Sequence, residues 1–396
     1  MKLKAVTAIV AALTLAACGG EQPKEVTAEV PHGYVEGAEE AAEAQSRLIV
    51  ADPETGAVRV VDLITEEVHE VGRVDGVRAV TGDGRFGYLT AGDGTIRVVD
   101  SGSWMVDHGD HVHYYRAKVR DVGVAPGKQL LAAYSDPAVS TLSYSDGSAT
   151  LLDRAALDKG TVTELGKITR EPHAGVAIPY REHIIATVAD AGKPFARGVR
   201  VHDRQGKAVA EIDQPCPELR GQAVTRRGVV FGCADGALLV TEKEGAFAGV
   251  KIPYPRSVTA QERATAFFHR PGGATLAARA GDSAVWSLDV GRRSWQYVET
   301  GQVAAVNAVG EGGPLLALTR DGKLRSFDAA GKEQTAVPLL TPEGTAAASI
   351  QVDSTRAYLN NPLSAEVYEI DYNDNLRRAR TLKVGGKAGH IVETGR

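Results

Sequence analysis

RLIVADPETGAVRVVDLITEEVHEVG, residues 47–72, is a strand, a turn, a strand ending in Asp62, and a further strand. Apolar residues alternate along each strand, the pattern of half-buried antiparallel pairs. The same order returns in FGYLTAGDGTIRVVDSGSWMVDHG (86–109) and, shortened, in GALLVTEKEGAFAGVKI (236–252). It returns again in ATLAARAGDSAVWSLDVGRRSWQYVE (274–299), PLLALTRDGKLRSFDAAGKEQTAVPL (314–339) and RAYLNNPLSAEVYEIDYNDNLRRARTL (356–382). Asp-Gly and Gly-Gly dipeptides mark hairpin turns along the chain.

The repeat recurs every 40 to 50 residues or so, about the period of a four-stranded propeller blade. Eight units begin near residues 47, 77, 117, 173, 216, 256, 301 and 341. The third is the longest, and DPAVSTLSYSDGSATLLDRAALDKG (136–160) reads as an insertion within it. The last residues, GHIVETGR (389–396), read as the innermost strand of a blade whose other strands are missing there. The unit at Arg47 lacks such a strand. Joining the two completes a blade from both ends of the chain and removes exposed edges. The expected fold is therefore all-β, a single β-propeller of eight blades over residues 46–396, closed by the C-terminal strand on the first blade. Seven blades result if two units share one. A pair of β-sandwiches explains neither the period nor the orphan strand.

The chain has 396 residues, 44 of them Gly, and a formal net charge of -5. No Lys/Arg-rich stretch stands out, which argues against a nucleic-acid partner. Lys2 and Lys4 precede the apolar run AVTAIVAALTLAA (5–17), too short for a stable membrane span. LAAC (15–18) resembles a bacterial lipobox, so residues 1–17 read as a lipoprotein signal peptide and Cys18 as the lipidated residue. The mature chain then sits outside the cytoplasmic membrane, in the periplasm or on the cell surface, held by a lipid anchor only. Residues 18–45 are Glu-rich and poor in large aliphatics, and read as a flexible tether. EGAEEAAEA (36–44) within it reads as a short helix. In that compartment the remaining cysteines, Cys216 and Cys233, form a disulfide more readily than a metal or redox site. The alternative is two buried unpaired thiols.

DHGDHVHYYR (107–116) holds three of the ten histidines. In the propeller layout it leads into the third unit, where innermost strands begin and line a central channel. EPHAGVAIP at His173, CPELRGQAV at Cys216–Arg220 and GHIVETGR at His390 occupy the same position in other units. His111 and His113 are two residues apart and point to one side of an extended segment. Such a pair chelates a metal, with His173 reaching in from a neighbouring blade. His108, Asp107 and Asp110 are further ligands or groups that orient an imidazole. Zinc suits a nitrogen and oxygen donor set, as do copper and nickel. His69, His183, His202 and His269 read as solvated surface residues.

These stretches resemble the AztD family of periplasmic zinc metallochaperones. The similarity runs through PHGYVEGAEEAAEAQSRL (31–48), DHGDHVHYYR, PHAGVAIP (172–179), CPELRGQA (216–223) with VVFGCADG (229–236), and RAYLNNP with VYEIDY (356–372). It covers nearly all of the mature chain. The resemblance implies a propeller whose zinc ligands come from His108, His111, His113 and His173. It also implies a Cys216–Cys233 disulfide and zinc delivery to the solute-binding protein of an ABC importer. Two features depart from it. Arg220 stands where a further histidine is expected, and a guanidinium is no ligand and repels cations. The tether carries only His32.

The leading expectation is thus a monomeric, lipid-anchored zinc metallochaperone. The alternative is a propeller scaffold that binds a protein partner through a weakened or lost metal site, which Arg220 favours. A zinc hydrolase with Glu171 as base stands third. No HExxH, nucleophile elbow or phosphate loop is present, so no enzymatic activity is expected.

Overall fold

The structure is a computed structural model and describes residues 33–396 apart from 109, 110 and 128. The expected signal peptide, Cys18, His32 and Asp110 lie outside the described residues. The chain is almost wholly β. Most strands pair with their neighbours in sequence, and each pair of named strands is antiparallel. Seven four-stranded sheets and one three-stranded sheet succeed one another among the described residues, with one small additional sheet.

The first sheet joins the two ends of the chain. His390–Thr394 pairs with Arg47–Ala51, aligning Thr394 with Arg47 and His390 with Ala51, as expected for GHIVETGR. The following sheets begin at Ala79, Leu130, Ala177, Arg220, Thr275, Val303 and Ile350. The unit expected near residue 256 starts its regular sheet later, at Thr275, but Phe268 bridges Ala277 ahead of it.

The third unit is a correction. The strand Arg120–Ala125 does not open it but pairs with Ile96–Asp100 as the fourth strand of the second sheet. The third sheet begins at Leu130. The insertion lies in the second sheet, as the hairpin Ser103–Asp107/Val112–Arg116. Its strands alternate as blade strands do, so periodicity alone counted them as part of the repeat. DPAVSTLSYSDGSATLLDRAALDKG holds two ordinary strands of the third sheet and the short helix Arg154–Asp158. The helix expected at 36–44 is also corrected. Glu39–Ala41 is a strand on the edge of Val112–Arg116, where cross-strand pairing outweighs the helical preference of Glu and Ala.

Apolar residues are packed between consecutive sheets. One cluster joins Phe86 and Tyr88 to Leu142 and Leu152, across the second and third sheets. Another joins Val230 and Leu239 to Trp286 and Leu288, across the fifth and sixth. Leu316 and Leu318 meet Leu359 and Ile370 across the seventh and eighth. Leu48 and Val50 of the first sheet meet Tyr358 and Val367 of the eighth. Cys216 and Cys233 form the expected disulfide, with Cα atoms 4.9 Å apart.

Glu393, on the C-terminal strand, has a fully buried side chain that pairs with Arg396 at 2.6 Å. Burial pushes its carboxyl up; Arg396 opposes this, Asp353 adds to it, and the result is about 7. A raised folded-state value gives stability that is full below the unfolded value of 4.5 and is lost as pH rises to about 7. The loss is on the order of 3 kcal/mol. Glu393→Gln is expected to flatten this dependence and to be more stable than the wild type at pH 8. Urea denaturation at pH 5 and pH 8 checks it; parallel pH profiles of the two proteins contradict it.

Candidate metal centre

The inserted hairpin is tied at its base. The Ala117 amide donates to the Gly102 carbonyl at 2.6 Å. Gly102 has φ +68°, and a Cβ there would collide with that same residue's carbonyl oxygen, Ala117 O. Glycine is therefore required by conformation and by space. Arg47, 7% exposed, donates from Nη1 to Ser101 O at 2.6 Å and to Ala117 O at 3.0 Å. It pairs through Nε with Asp62 at 3.2 Å.

Above the base, Trp104 and Tyr115 face each other across the hairpin and stack at 5.3 Å. The buried Arg85 guanidinium lies 3.7 Å from the Trp104 ring centroid, a cation–π contact shielded from water. Arg85 is itself held by two bonds of 2.9 Å to Asp100. Burial works against the Asp100 carboxylate, but the hydrogen bond and charge of Arg85, with hydrogen bonds from Arg120 and the Gly102 amide, outweigh it and hold its carboxyl below the usual range. Trp104 Nε1 donates to Gly33 O at 3.0 Å, which fixes the incoming chain beside the hairpin.

Alternation along Val112–Arg116 puts His113 on the Tyr115 face, and the two rings stack at 6.2 Å. The tip turns through a bond from His108 N to His111 O at 3.0 Å. His108 and His111 are exposed and His113 is half-buried. One ring nitrogen from each lies within 4.8 Å of the others. His111 Nε2 and His113 Nε2 are 3.1 Å apart. Two nitrogens each about 2.0–2.1 Å from a tetrahedral zinc stand about 3.3 Å apart, so this pair already has close to chelating spacing.

Three of the four expected histidines are thus together, and they form the one such metal-ligating group among the described residues. Their setting differs from the expected one: the hairpin branches from the second sheet and does not lead into an innermost strand. His173 is not in the group. It is 3% exposed, its Nδ1–H donates to Glu171 O at 2.6 Å, and its Nε2 meets the Thr187 hydroxyl at 2.9 Å. Burial and then the Arg170 charge lower its basicity, against the Glu171 bond. Burial pushes the Arg170 guanidinium itself down to about 10. Arg220 is exposed and lies 3.8 Å over the Phe195 ring. His390 is half-buried at the start of its strand. His202, expected at the surface, is 8% exposed because its Nδ1–H donates to Gly206 O at 2.9 Å inside a turn.

Sequence reading missed Glu40. Its Oε1 lies 2.6 Å from His113 Nδ1. Glu39 beside it holds Arg116 through Nε and Nη2 at 3.0 and 2.8 Å. The only signal was acidic residues in a stretch resembling the zinc-chaperone family.

No protein-family model matches the chain. Among curated proteins it matches zinc chaperone AztD of Citrobacter koseri, 23% identical over 368 residues, 88% of this chain and 86% of that one. The chain is similar to the zinc chaperone AztD over most of its length. Two solved structures of Citrobacter koseri AztD share its fold. The apo form superposes with a TM-score of 0.73 at 21% identity, over 89% of this chain and 98% of that one. The second gives 0.72 at 22% with the same coverage.

Trp104→Ala is expected to loosen the hairpin by about 3 kcal/mol, the cost of an emptied aromatic site. Amide exchange of residues 103–116 should quicken by roughly two orders of magnitude, with the fifth to seventh sheets unchanged. Uniform quickening across the chain would show that Trp104 supports the whole fold and not the hairpin.

Proposed function

We propose that this protein is an extracytoplasmic zinc metallochaperone that carries zinc on its inserted hairpin and delivers it to the solute-binding protein of an ABC importer. The observation that carries this reading is the group His108, His111 and His113, with two imidazole nitrogens 3.1 Å apart at an exposed tip. Three imidazoles supply three of zinc's four tetrahedral positions and leave one for water or a partner's ligand. An exposed site lets a partner approach the ion and supply a ligand before the chaperone releases it. The role is binding and hand-over, not catalysis.

His173 would have to give up its Thr187 bond and accept a cation near Arg170, so the ligands we propose are the three on the hairpin. The AztD likeness and the disulfide support a location outside the cytoplasm. Lipidation at Cys18 after removal of residues 1–17, and a monomeric state, complete the reading. We also propose that the eight successive sheets are blades of one closed propeller. The 390–394 to 47–51 pairing and the apolar cluster between the eighth and first sheets support it. A scaffold with a lost metal site is the second reading, favoured by Arg220 in place of a ligand.

Equilibrium dialysis of metal-stripped protein against zinc tests the first reading. One zinc bound more tightly than about 1 µM is expected, lost in the His111→Ala/His113→Ala double variant and kept in His173→Ala. Binding weaker than this in the wild type sinks the chaperone reading and leaves the scaffold. Loss of binding in His173→Ala would move the site to the buried histidine. Delivery is tested by mixing zinc-loaded protein with the solute-binding protein in excess chelator, where zinc should pass without appearing on the chelator.

A further inference from the structure

The strand Glu39–Ala41 is three residues long and sits at the edge of the hairpin. Its register aligns Glu39 with Arg116 and Glu40 with Tyr115. Glu40 therefore shares a face with Tyr115 and, one diagonal step along, with His113. The Glu39–Arg116 pair on the opposite face holds this register, since a one-residue slip would turn Glu40 away from His113.

The carboxylate meets the ring from behind. Glu40 Oε1 is on the Nδ1 side of His113, while Nε2 is the nitrogen facing His111. Glu40 is not part of the group whose donor atoms lie within 4.8 Å of one another. It accepts the Nδ1–H bond, which leaves the Nε2 lone pair aimed at the other imidazoles. A carboxylate on the far nitrogen also makes the near one a better donor. Tyr115 packs on the same ring, so rotation about the ring axis is opposed from a second side.

We infer that Glu40 is the positioning residue of the zinc site, and that the short strand carrying it sets the affinity of the hairpin for the ion. This rests on the zinc reading of the three histidines. It joins the segment leading out of the N-terminal tether to the cargo site through one side chain.

The test is a zinc titration of the full mature chain against a chromophoric chelator, for wild type, Glu40→Ala and Glu40→Gln. Glu40→Ala is expected to bind one zinc 10 to 100-fold more weakly, roughly the cost of losing such a partner. Glu40→Gln, whose amide oxygen still accepts the bond without charge, should fall between. Nitrogen-15 and proton spectra of the zinc-loaded forms give a signature that general loosening would not: a His113 Nδ1–H shifted by a hydrogen bond in wild type and Glu40→Gln, and without that shift in Glu40→Ala. Unchanged affinity in Glu40→Ala, with wild type binding zinc, overturns the inference alone. A changed count of nitrogen and oxygen donors by X-ray absorption in Glu40→Ala also overturns it, because Glu40 would then be a ligand. No zinc binding by the wild type overturns the zinc reading, and this inference with it.

Discussion

Arg47–Ala51 is the strand on which the rest depends. One of its edges accepts the C-terminal strand His390–Thr394 and the other pairs with Ala57–Asp62. Its first side chain, Arg47, reaches out of the first sheet to the carbonyls of Ser101 and Ala117. The strand that unites the two ends of the chain therefore also clamps the base of the hairpin bearing the histidines. A guanidinium suits both tasks, because its fork of donors reaches two carbonyls and a carboxylate at once.

The hairpin is an addition that leaves its sheet intact. The chain departs after Asp100, forms two legs, and returns at Arg120 to complete the second sheet. Asp100 and Arg120 are joined across this gap at 2.5 Å, and Asp100 also holds the Arg85 that supports Trp104. The imidazoles stand at the far end of this stack, His108 and His111 exposed and His113 half-buried. His173 has the opposite setting. It is buried, bonded at both ring nitrogens and close to the Arg170 guanidinium. Exposure and burial separate the two settings, although the histidines look alike in sequence.

Much was legible in the residues. The strand–turn–strand order of 47–72 recurs where sheets are found, and GHIVETGR pairs where an orphan innermost strand should. The Cys216–Cys233 pairing was favoured by the expected compartment and implied by the family resemblance, and the closeness of His111 and His113 followed from their spacing. The misplaced hairpin and the misread helix share one reason, the lack of a local signal. SWMVD and VHYYR alternate like blade strands, so nothing local separates an inserted hairpin from the repeat. EEA has helical preference, and only the open edge of Val112–Arg116 makes it a strand.

The sequence by itself determined a repeated β architecture and a close pair of histidines, because alternation and a two-residue spacing act over a few residues. Only the tertiary structure decided where that pair stands and what lies behind it. Glu40 and His113 are 73 residues apart, and they meet because a three-residue strand finds its register on a hairpin edge. That register comes from cross-strand contacts such as Glu39 with Arg116, which no local pattern encodes.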